Sequence, residues 1–295
     1  MFAQGQFRLL KTAKSAILAA ALLSTLTLSF NSHQASAAPS PAVPDYEVKL
    51  LLNPGAVLDS NHDLSSSVRS HFGMPSTKTK MSTEFLDSDD QDLNAEGWNV
   101  RVRKMEDFDD KEFELTYKKR YPITNGNIDA ALAAAALDGF DADEDDYDAQ
   151  VDWGYQKQTL SFSNKKSVDQ DGYDGMDNLS KDDAIDIAID EAPGKFEDWS
   201  SSNWGTDLLE DAHLYGPVDG KRWTGTWSGD DIDIEVYEIL QADGSGYDYI
   251  AEASFKTDSR TDAASLKTQL QNELTQQGWF LAGDELKTQM ILDRY

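Results

Sequence analysis

Apolar and polar residues alternate over short segments of the chain, a pattern that predicts β-strands. Eight segments follow it, at 45–52, 79–85, 99–103, 114–120, 155–163, 231–236, 252–256 and 288–292. Three others predict helices: an Ala-rich stretch over 128–137, a segment over 180–190 capped by Ser180, and a segment over 263–276 capped by Asp262. Because no repeat or domain boundary interrupts this order after residue 45, the pattern predicts one domain of the α+β class.

The polar faces of five predicted strands carry ionisable side chains. In an ordinary half-buried sheet such charges face water, and that interpretation suits any one strand. Basic and acidic groups, however, fall mostly on different strands. This segregation favours a closed or nearly closed β-barrel with a charged interior and an apolar outside covered by helices. The basic residues are Arg101, Arg103, Lys118 and Arg120, and the acidic ones are Asp45, Glu47, Asp233, Glu235 and Glu252.

The charge of the whole chain makes its clustered basic residues informative. The sequence has 26 basic and 54 acidic residues, a net charge of −28. Because such a field repels phosphates, general binding to nucleic acids or anionic membranes is disfavoured. An enclosed cluster of Lys and Arg can still bind a polyphosphate, and carboxylates offer the oxygen ligands that Mg²⁺ or Mn²⁺ prefers. The absence of cysteine excludes a disulfide scaffold, a Cys-ligated zinc site and a thiol nucleophile.

The N-terminus has the features of a secretory signal peptide. Arg8, Lys11 and Lys14 precede an apolar run over 16–30, and small residues around Ala37 form a cleavage site. We predict cleavage after Ala37, a linker over 38–44, and a secreted protein with a net charge of −31. The alternative is an uncleaved membrane anchor, for which the apolar run is short against a bilayer core of about 30 Å. No membrane association is expected after cleavage.

The order of the charged motifs resembles that of the CYTH, or triphosphate tunnel metalloenzyme, superfamily. Asp45-x-Glu47-x-Lys49 is similar to its ExExK signature, with Asp in the first Glu position. The remaining motifs follow in the family's order: Phe85-Leu86-Asp87, Arg101-x-Arg103, Leu115-Thr116-x-Lys118, Asp233-x-Glu235, Glu252-x-Ser254-x-Lys256 and Lys287-Thr288. Any one of these motifs is common by chance, but the ordered set is specific. The resemblance spans residues 45–295.

This resemblance implies an eight-stranded antiparallel tunnel that binds triphosphates and usually hydrolyses them with Mg²⁺ or Mn²⁺. It assigns metal binding to Asp45, Glu47, Asp233, Glu235 and Glu252. It assigns phosphate binding to Lys49, Arg101, Arg103, Lys118, Arg120 and Lys256, with Arg222 as a weaker addition. Catalysis would involve Glu47, Lys49 and Glu235.

Three functions stay open at this point. The first is a secreted, metal-dependent phosphohydrolase acting on inorganic tripolyphosphate or another triphosphate. The second is a non-catalytic barrel that binds polyanions or metal. It is favoured by Asp148-x-Gln150-x-Asp152, where the family often carries an acidic pair. The third is a structural or interaction protein with its charges at the surface. The orientation of three side chains distinguishes these functions. If Arg101, Arg103 and Lys118 converge inside a tunnel, the first two functions are supported, and if they point to solvent, the third is.

Overall fold

A computed structural model describes residues 38–284 and 287–295, which contain a compact unit over Ala38–Tyr295. The predicted signal peptide, 1–37, lies outside the described residues. The described residues form nine strands: β1 (Asp45–Leu52), β2 (Thr79–Asp87), β3 (Trp98–Met105), β4 (Glu112–Pro122), β5 (Asp148–Trp153), β6 (Gln158–Asp169), β7 (His213–Trp227), β8 (Asp230–Leu240) and β9 (Tyr247–Thr257).

The strands form one closed barrel in the order β1-β5-β6-β4-β3-β2-β7-β8-β9, and β9 pairs with β1 to close it. Every pairing is antiparallel except that of β1 with β5, which is parallel. The predicted α+β class and closed barrel are therefore confirmed. The prediction of eight strands in a purely antiparallel arrangement is wrong, because the barrel is mixed and has nine.

Seven of the eight predicted strands are present, although β6 begins later than the predicted segment 155–163. The eighth, 288–292, is part of a helix, and β5 and β7 complete the barrel instead. The segments between β4 and β5 and between β6 and β7 contain helices that pack on the barrel's outer surface.

Nine α-helices are present among the described residues: α1 (Pro54–Val57), α2 (Ser66–His71), α3 (Asp92–Ala95), α4 (Ile128–Leu137), α5 (Lys181–Asp190), α6 (Gly194–Glu197), α7 (Trp204–Glu210), α8 (Arg260–Gln276) and α9 (Lys287–Arg294). The prediction of α4 is confirmed, and Ser180 caps α5 by accepting a hydrogen bond from the Asp183 N–H. Helix α8 starts earlier than predicted, because Ser259 rather than Asp262 accepts the capping bond.

The main apolar core lies between the outer face of the barrel and the helices. Outward-facing strand residues such as Val48, Val100 and Ile234 are fully buried there. Trp98 packs edge-on against Phe196, at 5.3 Å between ring centroids, and so joins β3 to the helical layer. The apolar faces of the strands therefore point away from the barrel axis, as the charge pattern predicted.

Helix α9 lies across the end of the barrel where β2 and β8 finish. The Arg294 guanidinium donates to the Leu240 carbonyl, and the Gln91 side chain donates to the Leu292 carbonyl. Ile291 of α9 joins a second apolar cluster, which includes Phe85 and Tyr237 of the barrel wall. No helix in the described part of the chain is long and apolar enough to cross a membrane.

Candidate functional site

The barrel encloses a cavity of about 510 Å³ to which all nine strands and α9 contribute side chains. Eleven of the twelve predicted site residues line it: Glu47, Lys49, Arg101, Arg103, Lys118, Arg120, Arg222, Asp233, Glu235, Glu252 and Lys256. The exception is Asp45, the first residue of β1, which is exposed and lies outside the cavity lining. Because the basic side chains converge inside the barrel, the function that required surface charges is disfavoured.

One cluster of charges joins β7, β8, β9 and α9. The Arg222 guanidinium donates to Oε1 of Glu235 from Nε at 2.9 Å and from Nη2 at 2.7 Å. The Tyr237 hydroxyl donates to the other oxygen, Oε2, at 2.8 Å. Glu252 lies directly opposite Glu235 on β9, and Nζ of Lys287 is 3.0 Å from Glu252 and 3.6 Å from Glu235. Burial favours a higher pKa for Glu235, but Lys287, Arg103 and Arg222 outweigh it and lower this pKa.

A second cluster is centred on Asp152 of β5. Lys49 donates to one carboxylate oxygen at 3.0 Å and Lys118 to the other at 3.1 Å. The Gln150 side chain donates both to Asp152 and to Glu47, at 2.7 Å in each case. Burial opposes ionisation of Asp152, but Lys118 and Lys49 hold its pKa well below the usual range. Burial lowers the pKa of Lys118 to about 8, although Asp152 favours its charged form.

A third cluster contains two neighbouring guanidinium groups. Arg101 donates to Glu114 of β4 at 2.5 Å and to the Thr116 hydroxyl at 3.1 Å. Arg103 lies 4.0 Å from the same Glu114 carboxylate. The Nε atoms of both arginines are buried and have no hydrogen-bond partner among the described residues. Burial, together with the charge of Arg103, lowers the pKa of Arg101 to about 10.

The remaining predicted residues are more loosely held. Asp233 accepts a hydrogen bond from the Thr224 hydroxyl at 2.5 Å, and Arg120 donates to Thr288 of α9 at 3.3 Å. Lys256 is exposed where it lines the cavity.

Several lining residues were not among the predicted site residues. Glu114 and Tyr237 lie two residues from Thr116 and Glu235, so extending the alternation along β4 and β8 would have found them. Lys165 follows the same spacing along β6. Lys287 was noted only as part of a motif before a predicted strand, and its entry into the cavity depends on α9 being a helix.

The cavity is rich in positive charge, in contrast to the rest of the protein. Among the described residues, its lining contains nine basic and six acidic side chains, whereas the whole chain carries a net charge of −28. Asp152, which binds Lys49 and Lys118, adds one more negative charge at its wall. Even so, basic groups are in excess here, and the local environment favours an anion.

The cavity also offers donors for a hard divalent cation. Glu235 and Glu252 face each other on adjacent strands, and Glu47 and Asp233 lie in the same lining. Carboxylate oxygens are suitable ligands for Mg²⁺ or Mn²⁺. Outside this cavity, Glu144, Asp145 and Asp146 also bring carboxylate oxygens within 4.8 Å of one another, but Lys195 already binds Glu144 at 2.9 Å.

No protein-family model and no curated protein matches the chain. Similar solved structures include a proposed adenylyl cyclase from Hippeastrum with a dominant triphosphatase activity, at 14% identity and a TM-score of 0.46, covering 84% of this chain and 99% of that one. A proposed adenylate cyclase from Bacillus halodurans has 13% identity and a TM-score of 0.46, and the match covers 85% of this chain and 97% of that one. A proposed adenylate cyclase from Vibrio parahaemolyticus has 11% identity and a TM-score of 0.40, and the match covers 84% of this chain and 98% of that one. At these values no activity is transferred from these proteins to this chain.

The resemblance to the CYTH superfamily therefore depends on this chain's own features. The motif residues occur in the family's order, and their charged members, apart from Asp45 and Asp87, line the inside of one closed barrel. The motifs implied a β-barrel, and the structure contains a closed β-barrel with helices outside it.

Proposed function

We propose that this protein is a secreted, divalent-metal-dependent phosphohydrolase that binds inorganic tripolyphosphate or another triphosphate inside its barrel. The proposal depends above all on the buried guanidinium groups of Arg101 and Arg103. Both carry an Nε donor without a partner among the described residues, and both line the cavity. A buried donor left unpaired costs about 1–3 kcal/mol, so an acceptor supplied by a ligand would repay that cost.

Phosphate oxygens are the acceptors that suit this arrangement. A planar guanidinium can donate two parallel bonds to one phosphate, and lysine ammonium groups add charge without a fixed direction. A linear triphosphate offers several such groups in a row, which fits basic residues distributed over four strands: Lys49, Arg101, Arg103, Lys118 and Arg222. The cavity volume of about 510 Å³ lies within the range of small-molecule sites.

The charged states of the residues suit them to distinct tasks. Burial acts against ionisation of Glu47, but Lys49 lowers its pKa, so Glu47 is ionised and can accept a proton from a water molecule. Burial also acts against the charge of Lys49, yet Asp152 and Glu47 raise its pKa, so Lys49 remains available to neutralise a phosphate. A divalent ion bound by Glu235 and Glu252 would neutralise charge on the transferred phosphoryl group.

A specific observation favours the second candidate, a barrel that binds polyanions without turnover. Gln150 occupies a position where the related family often has an acidic residue, and its amide donates to both Glu47 and Asp152. The amide therefore uses carboxylate oxygens that a second metal ion would need. Loss of that ion would weaken hydrolysis and leave phosphate binding intact.

The test is phosphate release from tripolyphosphate, with ATP and pyrophosphate as comparison substrates, in Mg²⁺, in Mn²⁺ and in chelator. Glu47→Gln and Arg103→Ala serve as variants, and calorimetric titration with tripolyphosphate measures binding separately. Metal-dependent release that both variants abolish would support the hydrolase. Binding that Arg103→Ala removes, without release by the unaltered protein, would support the non-catalytic barrel. Neither binding nor release would contradict both candidates.

Secretion is a separate part of the proposal. It is supported by the charged, apolar and small-residue regions of the segment 1–37. Export in a native host, followed by N-terminal sequencing of the protein in the medium, tests it. A mature chain that begins at Ala38 is expected, and a protein retained in the cell with Met1 in place would contradict it.

A further inference from the structure

The ammonium group of Lys287 lies where two carboxylates face each other. Glu235 and Glu252 are directly opposite on β8 and β9, and Lys287 is close to both, at 3.6 Å and 3.0 Å. The same ammonium is 4.2 Å from the centre of the Tyr237 ring, which adds a cation–π contact. The chain therefore supplies its own cation at the carboxylate pair.

This pair needs a cation of some kind. Like charges directly opposite on neighbouring strands repel each other, and the repulsion is stronger in a partly desolvated interior. Arg222 neutralises one side of Glu235, but Lys287 is the basic group that contacts Glu252 among the described residues. A divalent ion would meet the same need, but it cannot share the space between the carboxylates with an ammonium group of the same sign.

Lys287 can leave this position without dismantling its helix. It is the first residue of α9, whereas the contacts that fix α9 to the barrel come from later residues. Arg294 binds Asp248 at 2.9 Å, and Gln289 accepts a hydrogen bond from Asn94 at 3.1 Å. The flexible four-carbon stem of a lysine can then direct its ammonium elsewhere in the cavity.

We propose that Lys287 is a built-in competitor for the divalent cation: its ammonium must leave Glu235 and Glu252 before a metal ion binds there. This inference rests on the proposed function, because it concerns the carboxylates proposed to hold the metal. Lys287 thereby sets how weakly the ligand-free protein binds metal. A polyphosphate in the cavity would offer the displaced ammonium a new partner.

The first test measures Mn²⁺ binding to the full chain without any phosphate, by the loss of the electron paramagnetic resonance signal of free Mn²⁺. Lys287→Met is expected to bind Mn²⁺ about tenfold more tightly than the unaltered protein, a change that corresponds to about 1.4 kcal/mol. Lys287→Arg, which keeps the charge, should bind as weakly as the unaltered protein. Lys166→Met is the matched control, because Lys166 forms its salt bridge with Glu191 and does not line the cavity.

The second measurement uses the unaltered protein and does not depend on how any variant folds. Lys287 is acetylated by a brief pulse of an amine-reactive ester, and its modification is quantified by mass spectrometry with and without saturating Mn²⁺. Competition predicts that Mn²⁺ increases the modification of Lys287 severalfold and leaves that of Lys166 unchanged. Unchanged modification of Lys287, or equal Mn²⁺ affinity in Lys287→Met and Lys166→Met, would overturn the proposal.

These outcomes are separable from failure of the proposed function. Mn²⁺ affinity and lysine modification are both measured without substrate, so a protein that never releases phosphate can still show the competition. Conversely, a protein that hydrolyses tripolyphosphate but binds Mn²⁺ equally well with and without Lys287 would retain the proposed function and lose this inference.

Discussion

Replacing Arg103 by methionine tests the phosphate site most directly. The side chain lines the cavity, its Nε is buried without a partner among the described residues, and Glu114 is 4.0 Å away. Methionine keeps much of the length and apolar volume of the stem but removes every donor. We therefore expect a large change in binding and little change in packing.

The size of the effect follows from the bonds that Arg103 would donate. A hydrogen bond to a charged group contributes about 1.5–3 kcal/mol, and a guanidinium can donate two to one phosphate. The loss should therefore be about 3 kcal/mol or more, which is on the order of 100-fold in the Kd for tripolyphosphate. Stability should respond less, because removal of Arg103 relieves its repulsion of Arg101 but also removes its attraction to Glu114 and Glu235, and these effects oppose each other. The ligand-free Tm is thus expected to stay close to that of the unaltered protein.

Isothermal titration calorimetry with tripolyphosphate and thermal unfolding without ligand measure the two quantities. Lys104→Met is the matched control, because Lys104 is the next residue of β3 and faces the other way. Its ammonium donates to the carbonyls of Asp109 and Asp110 at 2.7 Å and of Glu112 at 2.9 Å. That variant should lose about 1–3 kcal/mol of stability and keep its affinity for tripolyphosphate. Unchanged affinity in Arg103→Met would refute the assignment of Arg103 to the phosphate site.

Three further predictions follow from individual side chains. Because the pKa of Lys118 is about 8 and an anion favours its charged form, the affinity of the unaltered protein for tripolyphosphate, relative to that of Lys118→Arg, should be constant below pH 8 and fall above it. Titrations of both proteins at pH 7 and 9 check this, since the ligand's own ionisation affects both equally. Gln150→Glu replaces an amide donor to Glu47 by a carboxylate, so it should tighten Mn²⁺ binding; unchanged Mn²⁺ binding would count against Gln150 as the cause of a missing metal site. Asp87 accepts three backbone N–H bonds, from Ser88, Leu93 and Asn94. Asp87→Asn should therefore lower the free energy of unfolding, measured by urea denaturation, by about 1–3 kcal/mol. A stability equal to that of the unaltered protein would contradict this prediction.

The sequence predicted the charged interior because the signal is carried by single strands. Alternation over residues such as Arg101 and Arg103 places both on one face whatever the strand's neighbours are. The same rule, applied further, would have included Glu114 and Tyr237. Which cation binds which carboxylate, by contrast, depends on strand order. The contact of Lys118 with Asp152 needs β4 and β5 on either side of β6, and nothing local encodes that arrangement.

Two errors in the strand prediction have local physical causes. The segment 288–292 is too short for its apolar spacing to distinguish a strand from a helix. In the structure it belongs to α9, and Lys287, Thr288 and Ile291 reach the cavity from one face of that helix. Strand β7 was missed because glycines interrupt its pattern. At Gly225 a Cβ atom would lie 2.2 Å from the Phe72 carbonyl oxygen, so a crossing chain segment requires the glycine that hides the strand.

The position of β1 in the barrel has a consequence for how the chain folds. Its two hydrogen-bonded neighbours are β5 and β9, and Tyr46 pairs with Val151 on one side and with Thr257 on the other. The first strand to emerge during synthesis therefore has no adjacent hairpin partner, and one of its edges stays open until nearly the whole chain exists. Such distant contacts impose a large loop-closure entropy and slow folding. Closure of the barrel, and with it assembly of the charged cavity, is thus a late event that an incomplete chain cannot reach.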